Sequence, residues 1–312
     1  MIRTLKTTAM LATACAAFAQ QPPGAPPGGG GGRGFGGPPL TLDFNDDTGF
    51  TQIFDGKTLN GWDGAPDLWS VEDGALVGLS CPDKPAGTTF IIYKSAEPAD
   101  FDLKLELKLE SGRGNSGIQY RSRQEEPSAN FGLGRGGPGR GRGGPGRGPG
   151  FGSANNEPFA PCAGRIAPEG ASPAAGFPGG GAYTKWNVKG YQFDIGARAW
   201  GNMWEGGRFP GERGTVATAG QVVLLHPGQP NKTLIGTTAP SDELQPVIKQ
   251  DDWNQIEIVA RGKTFTHVIN GRVFNVTIDD DDSMRPAKGI IAIQMEGTNM
   301  KVLARNIWLR AL

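Results

Sequence analysis

The stretch from Phe101 to Arg121, FDLKLELKLESGRGNSGIQYR, decides the fold. Phe101, Leu103, Leu105, Leu107 and Leu109 alternate with Asp102, Lys104, Glu106, Lys108 and Glu110. Side chains on a strand point to opposite faces with a period of two, so this run predicts a half-buried strand with one dry and one wet face. A helix would scatter the five apolar residues around its circumference. Ser111-Gly112-Arg113-Gly114 then breaks the pattern, and Gly117 to Arg121 opens a second strand. Between the two lies a small polar corner, Asn115-Ser116-Gly117. Gln119 and Arg121 are two apart and are expected on one face of the second strand.

Working outward, the same alternation recurs. Phe50–Phe54, Leu68–Val71, Ala75–Leu79 and Thr88–Tyr93 precede the stretch; Val188–Ile195, Val222–Leu225, Trp253–Arg261, Thr264–Ile269, Val273–Ile278, Gly289–Met295 and Met300–Leu309 follow it. Asp73-Gly74 and Asn270-Gly271 are two-residue hairpin signals. About thirteen strands and no helix longer than two turns predict an all-β sandwich.

Composition divides the chain. Residues 1–19 read as a secretory signal peptide, with Arg3 and Lys6 ahead of an apolar run from Ala9 to Phe18 and an Ala17-Phe18-Ala19 cleavage pattern. Residues 20–39 are a Pro/Gly-rich linker, and residues 40–312 form a single domain. Inside that domain a Gly/Arg/Pro-rich insert occupies about 123–185 and is expected to be a disordered surface excursion. Its RGG-like tract resembles RNA-binding segments, but in an exported protein of zero formal net charge a solvated loop is the better reading. No further apolar run is long enough to span a membrane. Cys81 and Cys162 can form one disulfide in an oxidising compartment or stand unpaired.

Several chemistries are absent from the sequence. His226 and His267 stand far apart and read as structural, no nucleophile elbow occurs, and no glycine tract has the strand–helix context of a phosphate loop. What remains is a polar set on strands and the loops that leave them. Asn115, Ser116, Gln119 and Arg121 form one group; Gln192 and Asp194, two apart, form another; Gln294 and Glu296 repeat the spacing. Trp200-Gly201-Asn202-Met203-Trp204-Glu205 with Arg208 reads as a loop combining indoles, a carboxylate and a guanidinium. Amides and carboxylates pair with sugar hydroxyls, and indoles cover the apolar face of a pyranose, so a carbohydrate site is expected.

The residues resemble a known family. Phe54-Asp55-Gly56-Lys57-Thr58-Leu59-Asn60-Gly61-Trp62, then Trp69-x-Val71-Glu72-Asp73-Gly74-x-Leu76, Asn115-Ser116-Gly117-Ile118, Gly190-Tyr191-Gln192-x-Asp194-Ile195 and Gly289-x-x-Ala292-x-Gln294 resemble the 3-keto-disaccharide hydrolase domain family. The resemblance runs from Phe50 to the end, the insert apart, and implies a concanavalin A-like jelly roll of two antiparallel sheets with its site on the concave one. It implies exported bacterial enzymes, periplasmic or extracellular, that cleave 3-keto-glycosides by hydrolysis or by elimination followed by hydration. On residue type, Asp194 and Glu205 are the expected base and acid, with Arg121, Asn115 and Gln192 holding the ketone oxygen and hydroxyls. Trp200 and Trp204 are the expected stacking wall, and Ser116, Gln119, Arg208, Gln294 and Glu296 complete the binding set.

Three positions depart from the family. Many members have Glu and Gln where this chain has Gln192 and Asp194, and Glu296 stands where a His is common. No cofactor is expected. Asp194, Glu205 and Glu296 could hold Ca²⁺ only by converging, since their spacing is no calcium loop. The alternative to an enzyme is a non-catalytic carbohydrate-binding module of the same sandwich class, because fold alone does not fix function. The expected partner in either case is a carbohydrate.

Overall fold

The computed structural model describes residues 44–110, 114–125, 159–166, 183–196, 200–206, 213–228 and 232–312. The expected signal peptide and linker, and most of the insert, lie outside these. Among the described residues the chain forms seventeen strands. The first five are β1 (Thr51–Gln52), β2 (Trp62–Asp63), β3 (Trp69–Glu72), β4 (Ala75–Ser80) and β5 (Gly87–Tyr93). The next five are β6 (Phe101–Glu110), β7 (Asn115–Gln124), β8 (Val188–Gly196), β9 (Asn202–Gly206) and β10 (Gly214–Ala217). The last seven are β11 (Gln221–Leu225), β12 (Lys232–Thr237), β13 (Asn254–Arg261), β14 (Thr264–Ile269), β15 (Arg272–Asp279), β16 (Ile290–Gly297) and β17 (Met300–Ala311). One short helix, α1 (Ser241–Leu244), breaks the all-β pattern.

These strands build two sheets. The larger runs β12-β11-β15-β14-β13-β6-β17-β4-β3, with β1 added beside β17; the smaller runs β10-β9-β8-β7-β16-β5-β2. Every pairing is antiparallel except β11 with β15. The result is the all-β sandwich expected from strand spacing, with the two-sheet jelly-roll arrangement that the resemblance implied. Both hairpin signals hold: Asp73-Gly74 and Asn270-Gly271 each have positive φ at both residues, as a tight two-residue turn requires. The sequence reading missed β9, which it took for a loop, and also β2, β10 and β12.

The apolar faces meet between the sheets. Leu103, Leu105 and Leu107 of β6 and Ile256 and Ile258 of β13 pack against Ile118 and Tyr120 of β7 and Tyr191 and Phe193 of β8 in one buried cluster. Each such side chain taken from water contributes on the order of 1.5–3 kcal/mol.

The opposite face of β6 is drier than its charges suggest. Asp102 and Lys104, expected on a wet face, are buried. Lys104 Nζ donates to the carbonyls of Phe44 and Asp46, both at 2.8 Å, pairs with Asp47 at 3.0 Å and lies 4.2 Å from the centre of the Phe50 ring. Asp102 accepts from Arg310 at 2.9 Å. The segment that enters the domain is thus laid across the larger sheet, held by the Lys104 ammonium and by Arg310, which donates to Thr48 O at 3.3 Å and lies over the Phe50 ring.

Cys81 and Cys162 are joined in a disulfide that closes a loop of 81 residues. The segment Phe159–Ile166 is thereby held to the end of β4. In the chain-entropy account a loop of this length contributes about 4 kcal/mol by restricting the unfolded state. Replacing both cysteines with serine should lower the stability measured by denaturant unfolding by about this amount. Reduction of the parent protein should reproduce the effect, and the serine variant should be indifferent to reductant.

Candidate functional site

The outward face of the smaller sheet carries the site, and strand register alone determines what lies there. Gln192 of β8 is opposite Gln119 of β7 and Trp204 of β9. Asp194 is opposite Gly117 and Asn202. On the other side of β7, Gln294 of β16 faces Gly117 and Glu296 faces Asn115, while Phe90 and Thr88 of β5 are opposite Gln294 and Glu296. Gln192 with Asp194 on β8, Gln294 with Glu296 on β16, Asn115 with Gln119 on β7 and Thr88 on β5 therefore share one surface. They line a cleft of about 380 Å³ together with Trp204, Phe90, Glu125, Asn187, Val188 and Gly206.

The side chains bond to one another in a continuous run. Gln119 Nε2 donates to Gln192 Oε1 at 2.6 Å, and Gln192 Nε2 donates to Asp194 Oδ1 at 3.0 Å and to Gln294 Oε1 at 2.9 Å. Asn115 Nδ2 reaches Glu296 Oε2 at 3.1 Å, and Gln294 Nε2 reaches the same oxygen at 3.4 Å. Thr88 Oγ1 donates to Glu296 Oε1 at 3.2 Å. Gly117 makes this possible. A Cβ there would sit 2.5 Å from Gln192 Nε2, so the bare backbone is the bed on which Gln192 lies.

Asp194 and Glu296 are the two carboxyls at the Asn115 end of this surface, and Glu125 stands at the other end. Burial pushes Asp194 up to about 6, against hydrogen bonds from Gln192 and Asn115 that pull the other way, and the Glu296 charge adds to the rise. Asp194 is poised to change protonation near neutrality.

Of the expected site residues, Asn115, Gln119, Gln192, Asp194, Trp204, Gln294 and Glu296 meet in the cleft. Four others do not. Arg121 was expected beside Gln119, but its φ of 44° and a register shift between Tyr120 and Arg123 break the alternation of β7. The bulge turns the guanidinium to the end of the sandwich, where it is 1 % exposed and donates to Ala99 O at 2.7 Å, Gly262 O at 2.8 Å and Asp100 at 2.7 Å. Glu205 lies on β9, where alternation sends Trp204 to the cleft and Glu205 into the sandwich. There it pairs with Arg213, which also binds Asp279 at 2.7 Å beneath Tyr191. Trp200 packs in the apolar core, and Ser116 is buried with its hydroxyl on Gln294 O at 2.8 Å. Arg208 lies outside the described residues.

Among the described residues no group of three or more His, Cys, Asp or Glu converges as a metal site. Of the carboxylates weighed as Ca²⁺ ligands, Glu205 is on the far side of the sheet from Asp194 and Glu296. His267 is wholly buried, which drives it down to about 3 and keeps it neutral between Tyr120 and Asn275, a structural role. The sequence reading passed over Thr88, Phe90, Glu125 and Asn187. Thr88 and Phe90 did carry a signal, being two apart on a strand that pairs with Gln294 and Glu296.

A chain from Bacteroides thetaiotaomicron named 3-keto-disaccharide hydrolase is 36% identical over 89 residues, covering 25% of this chain and 29% of that relative. The match therefore spans under a third of the relative's length. Among solved structures, a proposed glycosyl hydrolase from Parabacteroides distasonis has a TM-score of 0.44 at 15% identity, covering 88% of this chain and 98% of the other. A carbohydrate-binding module from Bacillus subtilis scores 0.38 at 11% identity, covering 84% and 96%. No helix among the described residues is long and apolar enough to cross a membrane. The model of the 3-keto-alpha-glucoside-1,2-lyase-like domain matches residues 49–134 and 172–310, and the chain belongs to that family.

Proposed function

We propose that this protein cleaves 3-keto-glycosides, with Asp194 as the base. The observation that carries the reading is the Asp194 carboxyl, raised to about 6, set in a cleft of amides and aromatic walls. A ketone at C3 acidifies the proton on C2. Asp194 takes that proton, the C2–H electron pair becomes the C1–C2 double bond through the enolate, and the C1–O bond breaks. Asp194, now protonated, passes its proton to the departing oxygen, Glu296 on the far side of Asn115 accepts a hydrogen bond from a sugar hydroxyl, and water then adds across the double bond to complete hydrolysis. Asn115 and Gln294 donate through contacts of 3.1–3.4 Å, long enough to exchange for the ketone oxygen as it gains charge. Asp194 thus takes both the base role and the acid role first expected of Glu205, and Trp204 alone of the two expected indoles serves as the sugar platform. The disulfide supports an oxidising compartment, hence export.

The test is release of monosaccharide from a 3-keto-disaccharide and from its unoxidised parent. The oxidised substrate should be cleaved and the parent left intact; a folded protein that cleaves neither sinks the reading. Asp194→Asn should lower kcat by about 10²–10⁴-fold while sugar binding persists. A binding module also presents an exposed indole such as Trp204, but it would show no turnover to lose.

The pH dependence has a definite sign. A base works ionised, so kcat/KM should rise with pH through about 6 and then level. Stability runs oppositely. The folded state holds the Asp194 proton more tightly than the unfolded chain, so stability present below about pH 4 is lost as pH rises through about 6. Asp194→Asn should therefore be the more stable protein above pH 7, by up to about 3 kcal/mol, with the difference vanishing near pH 4. Denaturant unfolding at the two pH values measures it.

A further inference from the structure

The cleft continues well past its carboxyls. Asn115 and Glu125 both line it, and they stand ten residues apart along β7, about 25–30 Å once the bulge is allowed for. Across the strands, from Trp204 on β9 to Phe90 on β5, the width is about 19 Å. Asp194 and Glu296 occupy one end of this groove. Two linked pyranose rings placed over them leave the other end empty.

That distal end is built from parts suited to sugar. Gly190 and Gly206 are opposite each other and leave the surface without side chains. A Cβ on Gly206 would lie 2.4 Å from Trp204 Nε1, so the indole leans over this glycine and away from the carboxyls. Beyond it come Val188, Asn187 and Glu125. The Asn187 backbone is fixed at both ends, its N–H donating to Thr184 O at 3.1 Å and its carbonyl accepting from Glu125 N at 2.9 Å. Its side-chain Oδ1 is buried with no hydrogen-bond partner, a state that costs about 1–3 kcal/mol unless a donor arrives. The Glu125 carboxylate is oriented by Lys189 at 3.3 Å.

We propose that this end of the groove is a distal subsite for a hydroxyl-bearing leaving group, so that the ligand is a glycoside longer than a disaccharide. Trp204 supplies the stacking platform, Glu125 accepts a hydrogen bond from a sugar hydroxyl, and Asn187 accepts another once its side chain turns Oδ1 into the groove. An alkyl or aryl leaving group could use the indole but would leave Asn187 Oδ1 without a donor. The identity of the ligand as a glycoside rests on the function proposed above; the length of the groove does not depend on C3 oxidation.

The experiment therefore measures binding of unoxidised sugars by calorimetry, using gluco-oligosaccharides of two, three and four residues in α- and β-linked series. In at least one series the trisaccharide should bind about tenfold more tightly than the disaccharide. Glu125→Gln and Asn187→Ala, checked for unchanged melting temperature, should each bring that ratio towards one. A ratio near one in the parent protein, or a ratio that both variants preserve, overturns the subsite. Cleavage of a 3-keto-disaccharide without any length dependence removes the subsite and keeps the catalytic reading. Length dependence without cleavage does the reverse.

Discussion

The period of two along the strands of the smaller sheet is the constraint on which everything else depends. Each of these strands separates the interior of the sandwich from its outward face, and where the alternation is unbroken no residue is at liberty to choose its side. Tyr191, Phe193 and Ile195 go in; Gln192 and Asp194 go out. Because neighbouring strands obey the same rule in register, polar residues from β7, β8 and β16 arrive on one surface without any loop having to position them. Their proximity then creates a second demand. Amides crowded together must satisfy each other, and the run from Gln119 to Glu296 does so with only a few long, exchangeable contacts left for a ligand.

The interior of the same sheet shows what happens to charge that lands on the wrong side. Glu205 and Asp279 are both buried, and Arg213 answers both. Arg121 is satisfied chiefly by backbone carbonyls at the end of the sandwich. Removing water from such groups is costly, and it is tolerable here because nearly every donor has an acceptor. These ion pairs brace the sandwich below the cleft and leave its floor to neutral amides, which do not compete electrostatically with Asp194.

The sequence made the fold readable because alternation is local. Five leucine-type positions on β6 and two Gly-containing turns were enough to predict strands and hairpins. Most of the cleft was readable too: Gln192 with Asp194, and Gln294 with Glu296, each carry the spacing that puts them on one face. What misled was a break in that spacing. A single left-handed residue at Arg121 reverses the side chain, and nothing in the letters GIQYR announces it. The stretch from Asn202 to Gly206 misled for the opposite reason. Its Gly, Asn and Trp read as a loop, so Trp204 and Glu205 were grouped as companions when the strand they form holds them on opposite faces.

Gly117 gives the cleft a property that its functional groups do not reveal. The position bears no side chain and touches no proton in the proposed chemistry, yet a Cβ would collide with three atoms of Gln192 within 2.7 Å. In a mutational survey scored by turnover, such a residue would rank with the carboxyls while offering no chemical reason for its rank. Surveys of this kind read importance as function. Here the importance would be that of an omitted atom, and the depth of the groove would be the phenotype.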